Sequence, residues 1–284
     1  MARPLRVQYP GALYHVISRG NACQDIYYDD LDRKKFLDWI ENAVETHNLI
    51  VHAYCLMNNH YHLLLETPDA NLSNAMRDIN GNYTQWFNAK HKTAGHLFQG
   101  RYKAFVIEKE LYLLEVARYI VLNPVRAKLV NCPGQWRWSS YKSTAEVKRT
   151  PKWLHTDWML GFFGKGKKEA RELYRKFIKD GKGANDPHKE TTNSILLGSP
   201  QFVHWIWETC THGSEELKEH PREQRIVGRP TLNELFEDVE TIKERSNTIR
   251  IAKKRCGYLN TEIANHLGLS NSTIGKIVNN KYNV

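Results

Sequence analysis

Over the apolar-rich run 13–19, read as a strand, the period of two puts Tyr14 and Val16 on one face and His15 and Arg19 on the other. Gly20-Asn21 ends the run, and the spacing predicts a strand. Over residues 32–47 the apolar positions instead recur at three to four, with Phe36, Ile40, Ala43 and Val44 inward and Arg33, Lys34, Glu41 and Glu45 outward. That pattern predicts an amphipathic helix. The apolar run 49–56 and the stretch 57–66, which opens on the turn signal Asn58-Asn59, predict a hairpin. A second helix is predicted over 71–90 through Leu72, Met76, Ile79, Tyr83, Trp86 and Phe87. Gly81 interrupts it at a cost of about 1 kcal/mol relative to alanine and predicts a kink there. A loop over 91–100 leads to a fourth strand, 101–107, and then to a helix from Glu110 that Pro124 is expected to close or kink near Asn123.

The order β-α-β-β-α-β followed by a helix is that of the ferredoxin-like split arrangement, an α+β fold with an antiparallel sheet and helices packed on one side. Beyond Trp136 the pattern thins. Residues 161–190 carry nine Lys or Arg against five Asp or Glu, broken by five glycines, and 145–190 reads as a basic connector with one short helix near 168–179. In the last third, Thr231 and Glu234 have capping-box spacing. Residues 261–278 have the form of a helix-turn-helix, with Ala264 at the crossing, Gly268 in the turn and Ile274 facing inward. Asn271, Ser272 and Lys276 then fall on the outer side of the second helix, where DNA is read. The expected organisation is residues 1–144 as a first domain, 145–190 as the connector, and 191–284 as an all-α domain with the helix-turn-helix at about 258–280.

The 284 residues suit two domains. Five scattered cysteines without a Cys-x-x-Cys argue against a disulfide framework and a structural zinc site. No apolar run reaches the roughly 18 residues of a membrane span, and the N-terminus lacks a signal-peptide core, so a cytoplasmic location without membrane contact is expected. The net charge of +10, with eight Trp and fourteen Tyr among 41 basic residues, points to nucleic acid, with single strands favoured because aromatic faces stack on unpaired bases.

The candidate chemistry lies in two places. In the second hairpin strand, His60 and His62 share a face about 6–7 Å apart and can share a metal ion, while Tyr61 faces away. In the helix after the fourth strand, Glu115, Tyr119 and Asn123 share a face at i, i+4 spacing. Glu115 fits either a base or ligand or a solvated charge, and Tyr112 is the alternative nucleophile to Tyr119. Arg19, Asn21, Arg101, Lys103 and Arg126 are candidate phosphate contacts.

His60-Tyr61-His62 resembles the histidine–hydrophobic–histidine signature of the HUH nucleases, and residues 119–127 (Tyr-Ile-Val-Leu-Asn-Pro-Val-Arg-Ala) resemble the nucleophile segment of the REP-associated tyrosine transposases. Residues 11–21, 97–104 and 136–141 match further pieces in order, so the resemblance covers about the first half of the chain. It implies Tyr119 as nucleophile, a divalent ion (Mg²⁺ or Mn²⁺) held by His60, His62 and Asn123, and a 5′-phosphotyrosine intermediate. Cleavage and rejoining of single-stranded DNA beside REP-type hairpins would follow, by a nucleoid-associated monomer or homodimer. Asn123 stands where relatives often carry Gln, and Asn58 where a proline is usual. A catalytically idle DNA-binding regulator of the same fold is the alternative, and a metal-dependent hydrolase using water is a third reading.

Overall fold

The computed structural model describes residues 7–146, 150–192, 195–210, 229–254 and 256–279. The outermost ends of the expected domains, residues 1–6 and 280–284, lie outside the described residues. The chain divides into two compact units, one formed by Gln8–Gly198 and the other taking in Ser199–Val284.

In the first unit the elements are β1 (Ala12–Arg19), α1 (Asp30–His47), β2 (Ile50–Leu56), β3 (His60–Thr67), α2 (Leu72–His91), β4 (Lys103–Ile107) and α3 (Lys109–Arg126). The sheet order is β2-β3-β1-β4-β5, with β1 central and antiparallel to both β3 and β4. The first four strands thus pair as the βαββαβ order requires. A fifth, β5 (Leu196–Leu197), adds to β4 in parallel and was not expected.

The period-two pattern sets the two faces of the sheet. Tyr61 points to one of them, where its ring meets Phe36 of α1 at 4.7 Å and its hydroxyl donates to Asn80 of α2 at 2.7 Å. The α1 N-terminus is tied to the α2 C-terminus on this face: buried Asp32 completes the capping box with Asp29 and pairs with Lys90 and His91. The opposite face carries Leu13, Leu64 and Ile107, and α3 packs across it through Leu113, Val116 and Ile120.

Two sequence expectations fail locally. Gly81 does not interrupt α2, which runs unbroken over 20 residues. Nor does Pro124 end α3, which continues to Arg126. A proline lacks the N–H that would bond the carbonyl four residues back. The amide of Asn123 makes up for this, its Nδ2 donating to the carbonyls of Tyr119 at 3.0 Å and Ile120 at 3.4 Å.

Residues 145–190 are no linker. They form part of α4 (Tyr141–Ala145) together with α5 (Asp157–Gly161) and α6 (Lys167–Asp180), and Ala145, Met159, Leu160, Ala170, Tyr174 and Ile178 are buried in the same core as α3. The basic charge sits on the outer faces of α6, and Gly166 and Gly181 flank this helix rather than break it. The unit boundary therefore falls at Gly198, not at 144 and 190.

The second unit contains α7 (Pro200–Cys210), α8 (Leu232–Phe236), α9 (Ile242–Lys254), α10 (Asn260–Leu267) and α11 (Asn271–Val278). The capping box is present, Thr231 accepting from the N–H of Glu234, although it opens a helix of only five residues. A small core of Ile249, Ala252, Ile263, Ala264, Ile274 and Ile277 holds α9, α10 and α11 together. Gly268 ends α10 at φ +63°, a left-handed conformation that favours glycine, and Ser270 caps α11 by accepting from the N–H of Thr273 at 3.1 Å. This is the expected helix-turn-helix, with Asn271, Ser272 and Lys276 exposed on α11. All five cysteines are free thiols. Among the described residues no helix is long and apolar enough to cross a membrane.

Candidate active site

The α3-facing side of the sheet changes character along its strands. Strand register places His15 beside Leu64 and Phe105, Ile17 beside His62 and Lys103, and Arg19 beside His60. The apolar core thus gives way first to imidazoles and then to cations, and there a cavity of about 430 Å³ opens. Its walls include His60, His62, Tyr119, Asn123, Arg19 and Lys103. Arg101 and Gln99 also reach it, from the segment leading into β4.

Tyr119 projects from α3 over the histidines, its ring centroid 6.0 Å from those of both His62 and His15. Its hydroxyl donates to Oδ2 of Asp186 at 3.3 Å, and the Arg126 guanidinium lies 4.9 Å from its ring centre. Burial, then the neighbouring Asp186 charge, pushes the phenol up to about 12, with Arg126 opposing. At rest it is a neutral hydrogen-bond donor.

Beneath it three imidazoles are linked. His15 Nε2 lies 2.9 Å from His62 Nδ1, and His15 Nδ1 lies 2.6 Å from His188 Nε2. Burial holds His15 and His62 well below the ordinary histidine range, reinforced by their imidazole neighbours and, at His62, by Arg19. Burial likewise lowers His188, against the pull of Asp186. His60 falls to about 4 through burial and then Arg19. These rings are therefore uncharged near neutral pH and keep a lone pair each.

The donor set fits a divalent ion. Nε2 of His62 is buried without a hydrogen-bond partner among the described residues, and the His60 ring is 5.0 Å away. The bonds that Nδ2 of Asn123 makes to its own helix orient the amide and leave Oδ1 as its acceptor. No three His, Cys, Asp or Glu side chains among the described residues gather into a metal cage. The candidate set is two imidazoles and one amide oxygen, which leaves coordination positions for substrate.

The remaining sequence candidates fall as follows. Asn21 lies in the turn after β1, its N–H donating to the carbonyl of Leu97 at 2.9 Å, and does not line the cavity. Arg126 is held by the carbonyl of Ala184 at 2.9 Å and faces the tyrosine ring rather than the cavity. Glu115 pairs with Arg118 along α3, and Tyr112 packs against the core. Asn271, Ser272 and Lys276 belong to the second unit. Sequence reasoning gave no role to His15, Phe105, Asp186 or His188. The alternation of β1 places His15 on the correct face, whereas nothing in the local pattern marks Asp186 or His188.

Residues 8–123 match the sequence profile of the family described as "Transposase IS200 like". No curated protein matches the chain. Among solved structures, a REP-associated tyrosine transposase bound to a REP hairpin is similar at 17% identity, covering 55% of this chain and 93% of its own, with a TM-score of 0.46. A "putative transposase" from Deinococcus radiodurans also shares 17% identity, over 42% of this chain and 95% of its own, with a TM-score of 0.31.

Proposed function

We propose, from the premise that residues 8–123 are an IS200-like transposase domain, that this protein cleaves and rejoins single-stranded DNA by transesterification on Tyr119. The observation that carries this reading is the gathering of the Tyr119 hydroxyl, His60, His62 and the cations Arg19, Arg101 and Lys103 in one cavity. The cations receive the phosphodiester, since exposed Arg and Lys on one wall neutralise and orient phosphate. The phenolic oxygen attacks phosphorus and the P–O3′ bond breaks, leaving a 5′-phosphotyrosine ester and a 3′-oxygen that takes a proton from solvent. The phenolic proton passes to Asp186 Oδ2, the carboxylate already accepting it. The ester conserves the energy of the broken bond, so a 3′-hydroxyl rejoins the strand by the reverse step.

His60, His62 and Asn123 would hold a divalent ion, Mg²⁺ or Mn²⁺, which when bound would supply Lewis acidity toward the phosphodiester. In the second unit, Asn271, Ser272 and Lys276 on the exposed side of α11 form a further DNA contact. The substrate is hairpin DNA of the REP type, on the sequence resemblance, and the place of action is the cytoplasm, at the nucleoid.

The test incubates wild type and Tyr119→Phe with labelled single-stranded hairpin DNA and Mg²⁺ or Mn²⁺, and reads a denaturant-resistant protein–DNA adduct. An adduct lost in Tyr119→Phe is the expected result. Hairpin binding with neither adduct nor cleavage under either ion would favour a regulator of the same fold. Cleavage that survives Tyr119→Phe would mean that water or another tyrosine attacks.

A further inference from the structure

We propose that His15 and His188 are positioning residues for His62, the three imidazoles forming one hydrogen-bonded chain that turns the Nε2 lone pair of His62 into the cavity. The inference rests on the reading of His62 as a metal ligand given above, and extends it to the two imidazoles linked to His62.

A neutral imidazole has one N–H and one lone pair, so a chain of three linked through Nδ1 and Nε2 has two consistent orientations. In the outward one, His62 Nδ1–H donates to His15 Nε2 and His15 Nδ1–H donates to His188 Nε2, over contacts of 2.9 and 2.6 Å. Nε2 of His62 then keeps its lone pair. In the inward one every proton reverses, and Nε2 of His62 carries a buried N–H that cannot bind a cation. Neither terminal nitrogen, Nε2 of His62 or Nδ1 of His188, has a partner among the described residues. Hydrogen-bond counting alone therefore does not choose between the two.

The charges at the ends do. Arg19 acts on the His62 end and Asp186 on the His188 end, where the His188 backbone N–H also donates to Asp186 Oδ1 at 3.0 Å. A cation at one end and a carboxylate at the other favour N–H groups pointing toward the carboxylate. That is the outward orientation. Packing keeps the chain in line: His15 and His62 are 0% and 3% exposed, and the His188 ring is stacked on Phe105 at 4.2 Å. Outer partners that fix a ligand's tautomer are typically worth about 10- to 100-fold in metal affinity. His188 and Asp186 lie outside the matched segment 8–123, so the transposase domain draws this control from the turn Pro187–Glu190.

The experiment titrates the full-length protein with Mn²⁺ alone, without DNA, reading free ion by electron paramagnetic resonance and folding by thermal melting. The variants are His62→Ala, His15→Phe, His15→Gln and His188→Phe. Expected are loss of the site in His62→Ala and a tenfold or greater weakening in His15→Phe. His15→Gln should recover most of the affinity, because its amide oxygen accepts where Nε2 did, and His188→Phe should weaken binding less than His15→Phe. Unchanged binding in His62→Ala would remove the metal-ligand reading itself. Loss in His62→Ala with wild-type affinity in His15→Phe, or equal weakening in His15→Phe and His15→Gln, would overturn the positioning role alone. Should His15→Phe fail to fold, long-range ¹H–¹⁵N spectra of wild type decide: a proton on Nδ1 of His62 supports the chain, and one on Nε2 overturns it.

Discussion

In the proposed reaction the Tyr119 hydroxyl meets opposing demands. Asp186 accepts its hydrogen bond and so favours the neutral phenol, yet the same carboxylate is the acceptor within reach when the proton must leave. Replacing Asp186 by Asn separates the two effects. Losing the charge lowers the phenol from about 12, while burial, the larger cause, keeps it above the ordinary 10. If Asp186 takes the proton, adduct formation in Asp186→Asn nevertheless slows by about 100-fold at neutral pH, because proton transfer to a placed base contributes about 10²–10⁴. The ¹³Cζ shift of labelled Tyr119 across pH gives the first quantity and adduct time courses the second. Faster adduct formation in the variant would make the carboxylate a brake. His60, His62 and Tyr119 are legible in the sequence because a strand period of two and a helical i, i+4 spacing dictate their faces. Asp186 lies 67 residues beyond its partner in a basic, glycine-bearing stretch, where only tertiary packing brings it to the tyrosine.

Helices and strands were legible wherever their apolar period ran without interruption, and the misreadings have local physical causes. Pro124 looks like a helix end until the amide of Asn123 supplies donors to the Tyr119 and Ile120 carbonyls. The connector reading weighed charge over period: Ala170, Tyr174 and Ile178 recur every four residues and form a buried stripe beneath the basic surface of α6. Gly81 suggests a kink, yet the neighbouring positions of α2 keep the stripe intact and the helix runs through it. A methyl group built there meets nothing within 4 Å. Gly81→Ala should therefore stabilise the protein by about 0.5–1 kcal/mol, through higher helix propensity and a less free unfolded chain. Gly20 is the contrasting case, since a methyl there would come within 2.1 Å of the Gln24 carbonyl oxygen and 2.9 Å of Ile26. Gly20→Ala must displace backbone beside Arg19 and should cost about 2 kcal/mol or more. Urea unfolding of both variants, at constant m value, checks the opposite signs; a destabilised Gly81→Ala would mean that α2 needs the glycine for a reason the packing does not reveal.

The two units divide the chemistry: one carries the candidate cleavage site on its sheet, and the other a helix-turn-helix around a separate small core. Stability of the first unit leans on phenols removed from water. Burial raises Tyr14, Tyr27, Tyr61, Tyr83 and Tyr174 above the ordinary value of 10, and Tyr27, Tyr61 and Tyr83 pack around Phe36 in the core under α1 and α2. The sign follows from proton binding. Above about pH 10 the unfolded chain releases these protons while the folded chain retains them, so stability present below pH 10 is lost as pH rises toward the folded values. Each such phenol contributes a slope of about 1.4 kcal/mol per pH unit in that window. Tyr83→Phe isolates one contribution: it forfeits the bond from the hydroxyl to the Ile26 carbonyl, about 1 kcal/mol at every pH, yet removes one titrating group from the alkaline limb. Urea unfolding at pH 8.5, 10 and 11 should show Tyr83→Phe less stable than wild type at pH 8.5, with the gap narrowing toward pH 11. A gap constant across the three would mean that the Tyr83 phenol ionises as readily folded as unfolded, and the buried aromatic core could not then be the source of alkaline instability.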